Sequence, residues 1–181
     1  MNLTREAVVA QALGIVDQYG LPDLTMRRLA TTLGVQPSAL YWHFASKQDL
    51  LGAMAAVILA DLPPYSGDLT RLTVWAARLH ALLRRHRSGA ELVWAVETLR
   101  PWEAGVGYAV EQALVQTCLA PALARTAARG VLSLVLAYAF DEDQRQLARS
   151  LGVSPPEPAI DPARDLDDAV AVFVAGIERA C

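Results

Sequence analysis

Apolar residues recur at spacings of three and four along most of the chain and rarely alternate with polar ones, a pattern that predicts helices rather than strands. From Thr4 to Tyr19, Val8, Ala12, Ile15 and Tyr19 form one stripe; Thr4 is a fitting N-cap, Glu6 complements the positive helix end, and Gly20 stops the run. Leu21, Pro22 and Asp23 leave room only for a short connector. Thr25 then caps a second helix with Met26, Leu29, Ala30 and Leu33 inward, and Gly34 follows where a helix commonly ends in a left-handed residue. Val35 turns back toward the core. Pro37 sits in the first turn of a third helix expected to continue from Ser38 to Phe44, with Leu40 and Phe44 inward. Two short helices joined across a Gly-containing turn are the arrangement whose second helix enters the DNA major groove.

Farther along, Ser46 and Asp49 have capping-box spacing, and Leu50, Leu51, Met54, Val57 and Ile58 keep the helical period to about Ala60. Pro63, Pro64, Ser66 and Gly67 break it. Asp68 to Arg87 is amphipathic, with Leu69, Leu72, Ala76, Leu79 and Leu83 inward and Arg71, Arg78 and Arg85 on another face. Shorter helices are expected over Ala90–Thr98 and Trp102–Thr117, and another from about Pro121, whose stretch Ala127–Phe140 has Arg129 as its one charge. Pro155, Pro156, Pro158 and Pro162 mark Ser150–Arg164 as an extended loop, and Leu166–Ala180 close the chain as a buried helix. The expected protein is all-α: a helix-turn-helix unit over 1–47, a connecting helix and hinge over 48–66, and a helical ligand-binding and dimerisation unit over 67–181. The two apolar C-terminal helices exceed what one small domain needs to bury, which points to a homodimer through Leu132, Val135, Leu136, Val170, Phe173, Val174 and Ile177. A monomeric bundle with both helices central is the alternative.

Composition refines this picture only locally. A net charge of −3 means that any nucleic-acid affinity comes from a patch rather than from the whole surface. Between Thr4 and Lys47, Arg5, Arg27, Arg28 and Lys47 are set against Glu6, Asp17 and Asp23. Cys118 and Cys181 lie far apart in sequence without a secretory leader, so two reduced thiols in a cytoplasmic protein are expected. No uncharged apolar run reaches the roughly 20 residues that span a bilayer.

A DNA reader needs cations or polar groups for phosphates and small or hydrogen-bonding side chains for base edges. Arg27 and Lys47 supply the first; Tyr41, Trp42 and His43 carry polar tips on flat rings; Pro37, Ser38 and Ala39 permit close approach to bases and thymine methyls. Helical geometry points Leu40 and Phe44 together and leaves Tyr41 and His43 elsewhere, while Trp42 fits either the core or the DNA.

The segment TREAVVAQALGIVDQYGLPDLTMRRLATTLGVQPSALYWHFASKQDLLGAM, with LYWHF and SKQDLL as its most specific parts, resembles the DNA-binding domain of the TetR family of bacterial transcriptional regulators. The remainder resembles the tetracycline-repressor-like branch loosely, in helix order and in RRHRSGAELVW and LRP. The resemblance implies nine or ten helices, a homodimer through a four-helix bundle, a palindromic operator and its release by a small molecule. It places DNA contacts on Arg27, Pro37, Ser38, Ala39, Tyr41, Trp42, His43 and Lys47. Where that branch holds a magnesium–drug chelate with histidines, this chain has Pro63, Val93 and Ser133 or Leu134, so neither a metal nor another cofactor is expected.

An effector site is expected among the middle helices, with Trp75, Trp94, Trp102, Tyr108 and Tyr138 as aromatic walls and His80, Glu97 and Arg100 as polar points. Two other classes compete: a helix-turn-helix acting through protein contact, and a small helical enzyme. The second lacks a nucleophile elbow, a Gly-rich phosphate loop and a metal-spaced His or Cys set.

Overall fold

The computed structural model describes residues 3–99, 105–156 and 161–181, and among these it contains nine α-helices and no strand. They are α1 (Arg5–Tyr19), α2 (Met26–Leu33), α3 (Pro37–Tyr41), α4 (Lys47–Ile58), α5 (Leu72–Leu83), α6 (Gly89–Leu99), α7 (Val106–Val115), α8 (Pro121–Ser150) and α9 (Pro162–Arg179). Short 3-10 turns at Leu21–Asp23 and Leu69–Arg71 lead into α2 and α5.

The N-terminal helices begin where their caps dictate. Thr4 Oγ1 accepts the Ala7 N–H at 3.2 Å, Thr25 Oγ1 that of Arg28 at 3.0 Å, and Ser46 Oγ that of Asp49 at 3.1 Å. Gly34 closes α2 with φ 68° and ψ 30°, the left-handed conformation that costs a side-chain-bearing residue about 1 kcal/mol or more. The Val35 N–H reaches back to the Ala30 carbonyl at 3.0 Å and completes the turn. Regular helix in α3 ends at Tyr41, short of the expected Phe44: the N–H groups of His43 and Phe44 both return to the Leu40 carbonyl, at 3.0 and 2.9 Å. This tightening tucks Phe44 into the core at 1% exposure, beside fully buried Leu40.

One apolar core runs from Val8 in α1 to Ile177 in α9. Helix α4 packs on α1 on one side and α6 on the other, and α8 lies against α5, α6, α7 and α9. Helix α8 is long and apolar enough to cross a bilayer by length and composition alone, yet Ala124, Ala128, Val131, Val135 and Ala139 are fully enclosed by its neighbours.

Three further expectations change. The helix expected over 68–87 resolves into the 3-10 turn capped by Asp68, the helix α5 to Leu83, and a turn through Ser88, whose φ is 56°. It unwinds at Arg84 because the next side chains are drawn to carboxylates on separate elements: Arg84 to Asp143 (2.8 Å), Arg85 to Asp61 (2.7 Å) and His86 to Asp17 (3.0 Å). The turn is so close that a Cβ on Gly89 would stand 2.2 Å from the Leu83 carbonyl oxygen. Helix α9 starts at Pro162 rather than Leu166, since a proline at the first helical position loses nothing. Residues 157–160 of the expected loop lie outside the described residues. Finally, Cys118 and Cys181, expected as separate thiols, are joined in a disulfide with Cα atoms 5.2 Å apart, because α9 runs back along α5 and α8.

Candidate nucleic-acid interface

Burial divides the third helix and the turn after it into two faces. Leu40 and Phe44 fill the core; Tyr41 is 53% and Trp42 90% exposed, although both are large rings that a core would normally take up. Pro37 and Ser38 are exposed at the start of α3, and Ala39 and His43 are half-buried. Arg27 projects from α2, and Lys47 stands at the first position of α4, half-buried.

The four cations of this region have different surroundings. Arg5 donates to the His43 carbonyl, and its guanidinium lies 4.1 Å from the Phe44 ring centroid, so it holds the turn carrying the exposed aromatics. Arg28 pairs with Asp23 and lies 3.9 Å from the Tyr19 ring centroid, joining α2 to α1. Arg27 and Lys47 form no ion pair among the described residues. The two cations that sequence reasoning set against DNA are those left over after folding.

The middle helices scatter the expected effector residues. Trp75 is buried, donates its indole N–H to the Pro63 carbonyl at 3.0 Å and packs against Tyr65 with ring centroids 5.9 Å apart, thereby anchoring the segment after α4. Burial and then Asp68 push the Tyr65 phenol up to about 12. His80 is buried with Nε2 2.9 Å from Glu142 Oε1, a contact outside hydrogen-bond geometry; Arg84 lies 3.1 Å from the other Glu142 oxygen. Tyr108 is half-buried on α7. Tyr138 is half-buried on α8, and burial, followed by its hydrogen bond with Asp165, raises its phenol above the usual value.

Among the described residues of this set, Trp94 and Glu97 come together, lining a notch of about 300 Å³ with Thr98, Arg129, Ser133 and Leu136. Trp94 and Leu136 also border a more apolar depression of about 340 Å³ that reaches Phe140. The Glu97 carboxylate accepts the Val106 and Gly107 N–H groups at 2.8 and 3.2 Å, which caps α7. Arg100 and Trp102 lie outside the described residues. No group of three or more His, Cys, Asp or Glu able to hold a metal occurs among the described residues.

Of the residues expected at a subunit interface, Leu132, Val135, Leu136, Val170 and Ile177 are buried within the chain's own core, and Phe173 and Val174 are half-buried against it. The faces of α8 and α9 that remain open are the opposite ones.

Sequence reasoning also missed a polar seam. The Asp17 carboxylate, near the end of α1, accepts the Arg87 N–H at 3.1 Å and lies 3.0 Å from His86 Nδ1, and Arg87 Nη1 donates to the Gln18 carbonyl at 3.0 Å. These contacts lock the end of α1 to the α5–α6 turn. The partners are 69 or 70 residues apart, so no local pattern reveals them.

A Gly-turn helix pair with buried aliphatics on one side and exposed polar aromatics and cations on the other, carried on a larger helical bundle, is a helix-turn-helix DNA-binding unit. The family profile described as "Bacterial regulatory proteins, tetR family" matches residues 8–54. The class C tetracycline repressor of Escherichia coli is 53% identical over 58 residues, 32% of this chain and 26% of that protein. The chain thus spans about a quarter of that curated relative. BioQ from Mycobacterium smegmatis is 33% identical with a TM-score of 0.84, covering 99% of this chain and 100% of the other. BioQ crystallised with its double-stranded DNA operator is 32% identical with a TM-score of 0.77, covering 97% and 98%. A TetR variant from Acinetobacter baumannii crystallised with minocycline is 26% identical with a TM-score of 0.72, covering 98% of each chain. The chain belongs to the TetR family. It is a DNA-binding transcriptional regulator and not an enzyme.

Proposed function

We propose that this regulator is a repressor that binds a palindromic operator as a homodimer and leaves it when a small molecule binds the helices beyond residue 66. The division into 1–47 as reading head, 48–66 as connection and hinge, and 67–181 as effector and dimerisation unit is part of this reading. The observation that carries it is the placement of Tyr41, Trp42, Arg27 and Lys47 on the open side of a head whose other side is fully packed. Tyr41, Trp42 and His43 lie along the DNA backbone; Arg27 and Lys47 meet phosphates; Pro37, Ser38 and Ala39 face base edges.

The dimer reading draws on the open faces of the last two helices. Exposed Thr126, Arg129, Ser133, Ala137, Phe140 and Gln144 repeat along α8 at spacings of three and four, and Asp168, Val172, Ala175 and Arg179 do so along α9. Two such faces from each subunit make a four-helix contact with heads at a fixed separation. The effector reading is supported by the minocycline-bound relative, and the notch lined by Trp94, Glu97 and Thr98, at the edge of the proposed subunit contact on α8, is the place proposed for it. A ligand that prefers one spacing of the heads shifts the population toward it. The work is done in the cytoplasm, where the DNA is.

The test is a fluorescence titration of labelled duplexes from the gene's own upstream region, followed by a small-molecule screen for release. The expected result is dimer binding to a palindrome and dissociation by at least one compound class. Binding only to half-sites as a monomer would overturn the dimer reading.

A further inference from the structure

Two cysteines separated by 63 positions in sequence meet at the surface of the helical region. Cys118 lies in the turn between α7 and α8, and Cys181 lies two residues past the end of α9; both are exposed, with Cα atoms 5.2 Å apart. A bridge at such a position is open to small thiols and disulfides. In a reducing cytoplasm an exposed pair of this kind is more often a redox-responsive element than a permanent staple.

We infer that Cys118 and Cys181 form a reversible thiol–disulfide site that tethers the end of α9 to the α7–α8 turn, its oxidant being a low-molecular-weight disulfide. The cytoplasmic setting of this inference rests on the proposed regulatory function. Either thiol can begin the exchange. Its thiolate displaces one thiolate from the small disulfide and forms a mixed disulfide; the thiolate of the other cysteine then attacks that protein sulfur and expels the second. The protein loses two protons and two electrons, and one small disulfide becomes two thiols. Excess thiol runs both steps backward.

The tether acts where apolar packing runs out. Leu166 and Val170 are buried, and Phe173 sits so close to α8 that a Cβ on Gly130 would lie 2.4 Å from its ring. Past Ile177, the residues Glu178, Arg179 and Ala180 are all exposed. The disulfide adds to the Ala180–Ile177 hydrogen bond a tie from this last turn to the α7–α8 turn, and its reduction removes that tie.

The test equilibrates the full-length protein in reduced and oxidised glutathione mixtures, traps thiols by alkylation and counts them by mass, with thermal unfolding and hydrogen exchange on the same samples. The expected result is an intramolecular bridge that passes from nearly absent to nearly complete across the series. The oxidised form should melt roughly 10 °C higher and exchange more slowly over residues 171–181. Cys118→Ser should show neither change, its remaining Cys181 taking at most a glutathione adduct. Two alkylatable thiols in every mixture, a bridge that survives full excess of reduced thiol in the native protein, or bridging only between chains would each overturn the inference. Operator binding plays no part in this readout, so failure of the regulatory reading is detected separately by the duplex titration.

Discussion

Each of helices α1 and α2 is capped by a side chain three residues away, and α2 and α3 are joined through one left-handed glycine; α5 to α9 are tied instead by groups about sixty residues apart, such as Arg84 with Asp143 and Cys118 with Cys181. The head takes its helix starts and its turn from neighbours in sequence, and Arg5 then fixes the turn after α3 from within the same unit. The helical region is held by long-range polar ties, and the Asp17, His86 and Arg87 seam joins it to the end of α1.

Substitutions can sharpen this contrast. The largest effect is expected inside the head: Leu40→Ala opens a cavity in a fully enclosed site and should cost about 3 kcal/mol, read as a lower urea midpoint with loss of DNA binding. Next, Asp17→Ala removes the acceptor shared by His86 and Arg87 and should cost about 1–2 kcal/mol. Hydrogen exchange should then rise at the end of α1 and over 84–89 while α2 and α3 stay protected; uniform loss of protection would contradict separate local and long-range control. Gly34→Ala should cost about 1 kcal/mol through its left-handed backbone, with folding retained.

The smallest effect is one of pH. Burial raises the Asp143 carboxyl above its ordinary value of 3.8, and Arg84 only partly offsets this. A raised acid favours the fold while protonated, so its contribution is full below the ordinary value and is lost as pH rises through the raised one. The stability of the natural protein relative to Asp143→Asn should therefore decline from pH 3.5 to neutrality, measured by urea unfolding at each pH. A difference that grows with pH would mean that the Arg84 pair outweighs burial.

The parts legible in the sequence were those with local causes. Thr4, Thr25 and Ser46 act as caps, Gly34 turns the chain, and Leu40 and Phe44 go inward while Tyr41 stays out; the exposure of Trp42, which the sequence left open between core and DNA, is settled by the fold. The end of α5, the burial of His80 against Glu142 and the Cys118–Cys181 bridge were not legible, because each depends on an element that arrives from about sixty residues away. The scattered effector residues make the same point. Aromatic content identified side chains able to wall a site, but Trp75 is spent on Tyr65 and Pro63, and helix packing alone decides which rings share a cavity.

The central claim is that the open side of α3 and its flanking cations read DNA. The measurement that tests it most directly is the affinity of the natural protein, Tyr41→Ala and Lys47→Ala for one palindromic operator duplex across a salt series. Affinity should fall as salt rises, with roughly tenfold weaker binding for each variant at unchanged thermal unfolding and a shallower salt slope for Lys47→Ala alone. Equal affinity for all three proteins, or binding indifferent to salt, would contradict it.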